Sequence, residues 1–373
     1  MISGVADVAF QRARDAFAEN FEHHPELGAS FCVVLDGRTV VDVWGGHADA
    51  ARTRAWEQNT LVNVFSAAKG IVSAVVHRLT ARGALDIDSR VSVDWPEFGA
   101  AGKGDVPVRW LLDHSAGLAA LRDSQPTGTL YDWDAMVAAL AAETPWWQPG
   151  TAHGYHAVTF GFLVGEVARR ATGNSIRELV AVELANALDV DLYIGVPVNE
   201  YPRVAEIPPT IVPESAADNP VAKAVTDPTS LTALAFANPA DLMEPGVANT
   251  PRWRAAEIPA SNAHANARAL ARLYGALARE GREDMWREHR RGIDQVLGVE
   301  TAFSAGFMLP SELRPFGRGV RCFGHPGAGG SLGFADPDIG LGFGYTPNQT
   351  IASMAGGDPR WTPLIDAVYE CVS

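Results

Sequence analysis

Ser66 and Lys69 are the pair of residues in this chain best suited to covalent chemistry. They open the stretch Ser66-Ala67-Ala68-Lys69-Gly70-Ile71-Val72-Ser73-Ala74-Val75-Val76. Apolar residues fill almost every position as far as Leu79, and Gly83 stands where a left-handed cap would end a helix. A spacing of three puts both side chains on one helical face, with Cβ atoms roughly 5–6 Å apart. A hydroxyl and an amine within reach can carry out acyl transfer. Burial disfavours the ammonium form and the positive end of the helix acts the same way, so the lysine can lose its proton near neutrality and act as a base toward Ser66. Only three lysines occur (Lys69, Lys103 and Lys223), and arginine supplies nearly all the positive charge, so a lysine in the most apolar helix is unusual. These residues alone leave a second reading open, in which Lys69 snorkels from a surface helix and Ser66 is only its cap.

The elements around the pair fall into three blocks. Met1 to Phe21 carries apolar residues at helical spacing (Val5, Val8, Ala9, Ala13, Phe17) and predicts a helix. Gly28 to Leu35 alternates, Asp36-Gly37 follows, and Thr39 to Trp44 continues the alternation, which predicts a hairpin. Between Phe65 and about residue 290, helical segments alternate with Pro- and Gly-rich loops. They include a short helix within 105–121, a long one from about Val158 to Thr172 and another over Arg268 to Glu280, while Val196 to Pro251 predicts a long loop or lid. Strands return at Arg318 to Phe323, Ser331 to Ala335 and Gly340 to Tyr345, before a closing helix over Pro363 to Cys371. The pattern predicts an α/β (α+β) protein whose antiparallel sheet is built from residues 1–62 and 290–373 and flanked by terminal helices. Residues 63–289 form a mostly helical inserted domain, with the active site at the seam.

Composition narrows the function classes. The 373 residues are 47% hydrophobic and 20% charged, enough apolar mass for a large packed core. A formal charge of -14 argues against nucleic acid and anionic membranes as partners. No run of about 18 apolar residues predicts a membrane span, and the start of the chain lacks a signal-peptide pattern, so a soluble cytoplasmic protein is expected. Cys32, Cys322 and Cys371 are too scattered for a disulfide framework or zinc site. His153 and His156 have neither helical context nor a nearby carboxylate, so no metal and no cofactor is expected. Gly329-Gly330-Ser331-Leu332-Gly333 matches the Gly-x-Ser-x-Gly nucleophile elbow, but that elbow requires a following helix and Phe334 onward reads as turn and strand.

Two further stretches join the first. Tyr155-His156-Ala157 follows the Pro149-Gly150 loop, and His325-Pro326-Gly327-Ala328 closes a late strand. With Leu111-Leu112-Asp113-His114-Ser115-Ala116-Gly117-Leu118 and Gly324 to Pro337, this ordered set resembles the serine β-lactamase and penicillin-recognising family, most closely its esterase branch, the family VIII carboxylesterases. The resemblance covers most of the chain. It implies Ser66 as nucleophile, Lys69 as base and Tyr155 as proton relay, with the backbone N–H groups of Ser66 and Ala328 as oxyanion hole. His325 and Gly327 fall at the substrate-binding strand.

A phenol with pKa near 10 relays protons at neutral pH only if cations lower it, and Lys69 and His325 are the expected cations. His325 should then make the rate depend on pH around 6–7. Two departures matter. Ala157 stands where the lactamases carry an asparagine, and His325 where they carry a lysine, which weakens recognition of an anionic, amide-bearing β-lactam. The expected substrate is a small-molecule carboxylic ester with a short to medium acyl group. An acyltransferase on the same acyl-enzyme, a weak β-lactamase or amidase, and a non-catalytic binding relative are the alternatives. Tryptophans 133, 146, 147, 253 and 361 are open to pocket or core roles.

Overall fold

The structure, a computed structural model, describes residues 2–214, 220–352 and 357–372. Its frame is a six-stranded sheet: β1 (Ile2–Ala6), β2 (Gly28–Leu35), β3 (Arg38–Gly46), β4 (Phe323–Pro326), β5 (Leu332–Asp336) and β6 (Leu341–Pro347), ordered β1-β3-β2-β6-β5-β4 and antiparallel throughout. Five helices set its surroundings: α1 (Gln11–His23), α2 (Ala67–Ala81), α3 (Thr159–Thr172), α4 (Ala267–Glu280) and α5 (Trp361–Val372). The β2–β3 turn has Asp36 at φ 49° and Gly37 at φ 81°, the two positive values that an Asp-Gly hairpin accommodates.

The sheet's two faces are built from opposite residue sizes. Side chains alternate along a strand, so Phe31, Phe334 and Phe343 meet on one face, with ring centroids 4.7 and 5.2 Å apart, and Phe17 of α1 stacks on Phe31 at 6.0 Å. The intervening positions are small. Gly333, Gly342 and Gly344 face α4, where a Cβ on Gly344 would lie 2.1 Å from the Ala267 carbonyl oxygen. Large residues thus meet the terminal helices, while glycines let α4 lie almost backbone to backbone on the other face.

Three differences from the sequence reading have local causes. Residues 2–6 form an edge strand instead of the start of a helix. They satisfy the outer edge of β3, from Ile2 opposite Gly45 to Ala6 opposite Val41, and this pairing overrides the apolar spacing; Met1 lies outside the described residues. The strand expected at Arg318–Phe323 begins at Phe323. Before it the chain turns, with Gly317 at φ 75° and the N–H groups of Arg318 and Gly319 taken by the Tyr369 hydroxyl and the Asp336 carboxylate. The expected lid, 196–251, contains the short helices Pro220–Val225 and Leu231–Ala237, and its residues 215–219 lie outside the described residues.

The middle block also reaches the sheet. α4 covers one face, and Gly70 of α2 brings that helix against Tyr274 of α4 and His325 of β4, where an added Cβ would stand 2.1 Å from the tyrosine hydroxyl and 3.3 Å from the histidine Cβ. Gly342→Ala tests the close layer. Its methyl would lie 2.2 Å from both the Ala271 carbonyl oxygen and the Gly275 nitrogen, backbone atoms that cannot step aside. Urea denaturation should show a loss of about 1–3 kcal/mol, with an unchanged midpoint as the contrary result.

Candidate active site

The start of α2 is set by backbone geometry. Val62–Asn63 pairs with Ala263–Ala265, and the Val64 N–H donates to the Ala263 carbonyl at 2.9 Å. Phe65 then takes φ 47°, a left-handed conformation that is uncommon for a bulky residue, and Ser66 enters helical geometry at φ -65° and ψ -12°. The Ser66 side chain makes no capping bond. This removes the reading of Ser66 as a cap and leaves its hydroxyl available in a cavity of about 510 Å³.

Lys69 has no exposed surface, so it does not snorkel. Its Nζ lies 3.3 Å from Ser66 Oγ, 2.7 Å from the Ala157 carbonyl oxygen and 3.0 Å from that of Ala260. Burial pushes its pKa well below the ordinary lysine value. A neutral amine has two hydrogens and one lone pair. With the hydrogens given to the two carbonyls, the lone pair is left for the Ser66 hydroxyl.

Tyr155 packs its ring under the same amine, with Nζ 4.7 Å from the centroid, and meets the His114 and His325 rings at a tilt, with centroids 5.2 and 6.0 Å away. Burial raises its pKa, while a hydrogen bond with Ser66 and the charge of Arg314 act the other way. The cations expected at this phenol are therefore corrected. Burial holds His325 down at about 3, its Nδ1–H donates to the Pro326 carbonyl at 2.7 Å, and the uncharged imidazole cannot lower a phenol or titrate near pH 6–7. Arg314, buried and lining the cavity, is the positive neighbour that the sequence reading missed. An arginine in a stretch with no regular periodicity carries no signal of its own.

Asp294 was missed as well. Its Oδ1 accepts the N–H groups of Tyr155, Val296 and Leu297 at 3.0, 2.9 and 2.9 Å, and Oδ2 accepts the Thr301 hydroxyl at 3.1 Å. This carboxylate, fully buried between the paired strands Arg290–Ile293 and Glu300–Phe303, fixes the backbone that presents Tyr155. His153 and His156 serve the same loop. His153 bonds Thr301, and His156 uses Nδ1 on the Gly154 carbonyl and Nε2 on the Leu118 N–H. Among the described residues, no group of three or more His, Cys, Asp or Glu side chains is arranged to hold a metal ion.

The third stretch meets the first through Gly327. A Cβ there would stand 2.1 Å from the Val64 carbonyl oxygen, so only glycine lets the Gly327–Gly330 turn approach the chain entering α2. Ser66, Tyr155, His325, Gly327 and Ala328 all line the cavity, and Ala328 is exposed to it. Of the five tryptophans, Trp253 and Trp361 line it, whereas the indole N–H groups of Trp133, Trp146 and Trp147 bond Glu166 and the carbonyls of Ala120 and Ser115. Ser331 is buried and leads directly into β5, so no helix follows it and the elbow reading fails.

Comparison with known proteins agrees with this geometry. A family model described as Beta-lactamase matches residues 16–362. The chain is 38% identical to "Esterase/beta-lactamase LipL" of Mycobacterium tuberculosis over 377 residues, 96% of this chain and 85% of that protein. The crystal structure of a family VIII carboxylesterase superposes with a TM-score of 0.89 at 41% identity, covering 100% of both chains. A penicillin-binding protein homolog from Caulobacter crescentus superposes at 0.88 and 36%, again over 100% of both. No helix among the described residues is long and apolar enough to cross a membrane. The chain belongs to the beta-lactamase family, with a family VIII carboxylesterase among its near relatives.

Proposed function

We propose that the protein is a serine hydrolase that cleaves small-molecule carboxylic esters of short to medium acyl chain through a Ser66 acyl-enzyme. The observation that carries this reading is the fully buried Lys69 amine, 3.3 Å from Ser66 Oγ with two carbonyls to occupy its hydrogens. Lys69 takes the Ser66 proton as Oγ bonds the ester carbonyl carbon. The carbonyl oxygen becomes an oxyanion that the N–H groups of Ser66 and Ala328 stabilise. On collapse the carbon–alkoxy bond breaks, and the departing oxygen takes a proton from Tyr155, which regains one from the lysine ammonium. Water then attacks the acyl-enzyme with its proton passing to Lys69, and as the carbon–Oγ bond breaks Ser66 Oγ takes that proton back from the lysine ammonium, which restores the hydroxyl and the neutral amine. The raised pKa of Tyr155 suits a donor that is neutral when the substrate arrives, which replaces the cation-lowered phenol expected from sequence.

The cavity walls support this substrate class. Ala157 offers no side-chain amide and His325 no charge, while Phe236, Leu242, Met243, Val247 and Met308 make the cavity largely apolar. An uncharged ester suits that surface. A second reading, weak turnover of β-lactams, is favoured by the Arg314 charge in the cavity wall and by the double name of the Mycobacterium tuberculosis relative. Transfer of the acyl group to an added alcohol is a third outcome for the same intermediate.

Wild type, Ser66→Ala and Ser331→Ala, assayed on a short-chain chromogenic ester and a chromogenic cephalosporin, test the assignment. Ser66→Ala should lower ester turnover by at least about 10³-fold while Ser331→Ala keeps most of it, and cephalosporin turnover should be far slower. An active Ser66→Ala enzyme removes the nucleophile. The same assays with and without added alcohol separate hydrolysis from acyl transfer by their products.

The pH profile tests the base. Lys69 accepts a proton only when neutral, so kcat/KM should rise with pH along one limb that ends below the ordinary lysine range. His325 is already uncharged above about 3, so His325→Gln should alter the rate without moving that limb. A limb that shifts in His325→Gln assigns it to the imidazole instead.

A further inference from the structure

Two consecutive side chains, the buried Arg360 and Trp361 of the cavity wall, hold the Gly327–Gly330 turn. Arg360 Nη2 donates to the Gly329 carbonyl at 2.5 Å, and the Trp361 indole N–H donates to the Gly330 carbonyl at 2.7 Å. Arg360 has no exposed surface, and all three of its side-chain nitrogens are engaged. Nε and Nη2 bond Asp358 at 2.8 and 2.7 Å, and Nη1 bonds Glu26 at 3.1 Å and the Gln349 carbonyl at 2.9 Å. The fit leaves no slack, since a Cβ on Gly330 would lie 2.2 Å from Arg360 Nη2 and 2.6 Å from Asp358 Oδ2. None of these side chains has a part in the acyl-transfer steps, yet this cluster commits a fully desolvated cation to one carbonyl of the turn.

The geometry of trans peptides says what that commitment does. Within one such peptide, C=O and N–H point in opposite directions. Arg360 draws the Gly329 carbonyl to one side and so turns the Gly330 N–H to the other, where it meets the Gly327 carbonyl at 3.2 Å. That carbonyl shares its peptide with the Ala328 N–H, which is thereby turned away from the inside of the turn, and Ala328 lines the cavity. We infer that Arg360, assisted by Trp361, is a positioning residue that aims the Ala328 N–H at the developing oxyanion through two peptide planes in series. Asp358 and Glu26 hold the guanidinium in place. This rests on the reading of Ser66 as nucleophile and Ala328 N–H as oxyanion donor.

Arg360→Lys keeps the charge between Glu26 and Asp358 but removes the fork, and Trp361→Phe removes one donor with little change of shape. Both are assayed for kcat and KM on the short-chain ester, and for inhibition by a boronic acid that bonds the serine oxygen and carries a tetrahedral anionic centre. Outright loss of an oxyanion donor costs about 10²–10³ in kcat, so a misaimed one in Arg360→Lys should cost about 10- to 100-fold. KM should stay within about twofold, boronic acid affinity should fall in proportion to kcat, and Trp361→Phe should lose about 3- to 10-fold in the same two quantities. Lower kcat with undiminished boronic acid affinity, or a change in KM alone, overturns the inference. If Arg360→Lys does not fold, Trp361→Phe decides, and unchanged kcat and inhibition there overturn it. A wild type that binds the boronic acid no better than Ser66→Ala overturns the Ser66 site itself and the clamp with it, whereas tight wild-type binding with indifferent variants sinks the clamp alone.

Discussion

The Lys69 amine sits without solvent between the carbonyls of Ala157 and Ala260, and the rest of the site is arranged around this contact. Desolvation makes the ammonium costly, and two carbonyls suit the two hydrogens of the neutral form. The carbonyls come from opposite sides. Ala157 follows the loop that presents Tyr155, and Ala260 precedes the strand Ala263–Ala265 that pairs with the chain entering α2. The amine thus fixes the distance between two segments as well as the state of its own proton. Its position 3.3 Å from Ser66 Oγ is what the proposed activation of that hydroxyl rests on.

Charge is sparse in this cavity although the protein as a whole carries -14. Histidines 114, 156 and 325 are all held down by burial, and both ring nitrogens of His156 and Nδ1 of His325 bond backbone groups. Among the described residues lining the cavity, Arg314 is the charged side chain, beside the Ser66 hydroxyl and the Tyr155 phenol. In the proposed mechanism such a site would move protons between groups of similar charge and rely on backbone dipoles for the oxyanion. On that mechanism its energetics would depend on where peptide groups point, and hence on the turn at Gly327–Gly330.

Close approach is the second theme, and glycine supplies it. Gly70 admits Tyr274 and His325 to α2, Gly327 admits the Val64 carbonyl, and Gly342 and Gly344 admit α4 to the sheet. In each case the neighbouring atom stands where a Cβ would be. The layers can therefore approach without side chains between them, beside the cavity that Ser66, Tyr155 and Ala328 line.

The sequence by itself determined the pieces whose information is local. The Ser66–Lys69 spacing on an apolar helix, the Asp36-Gly37 hairpin with the alternation of β2 and β3, and the short strands β5 and β6 between their turns were all legible, because a helical face, a turn and a period of two are properties of neighbouring residues. The order of the three motif stretches was legible as family resemblance. Tertiary structure alone decided the rest. Residues 2–6 became a strand because β3 had an open edge. His325 lost its charge because the fold buries it, and the phenol of Tyr155 stayed protonated for the same reason. Asp294, Arg314 and Arg360 entered the site's support from stretches without pattern, because what matters for them is which distant backbone groups they meet, and no spacing along the chain encodes that.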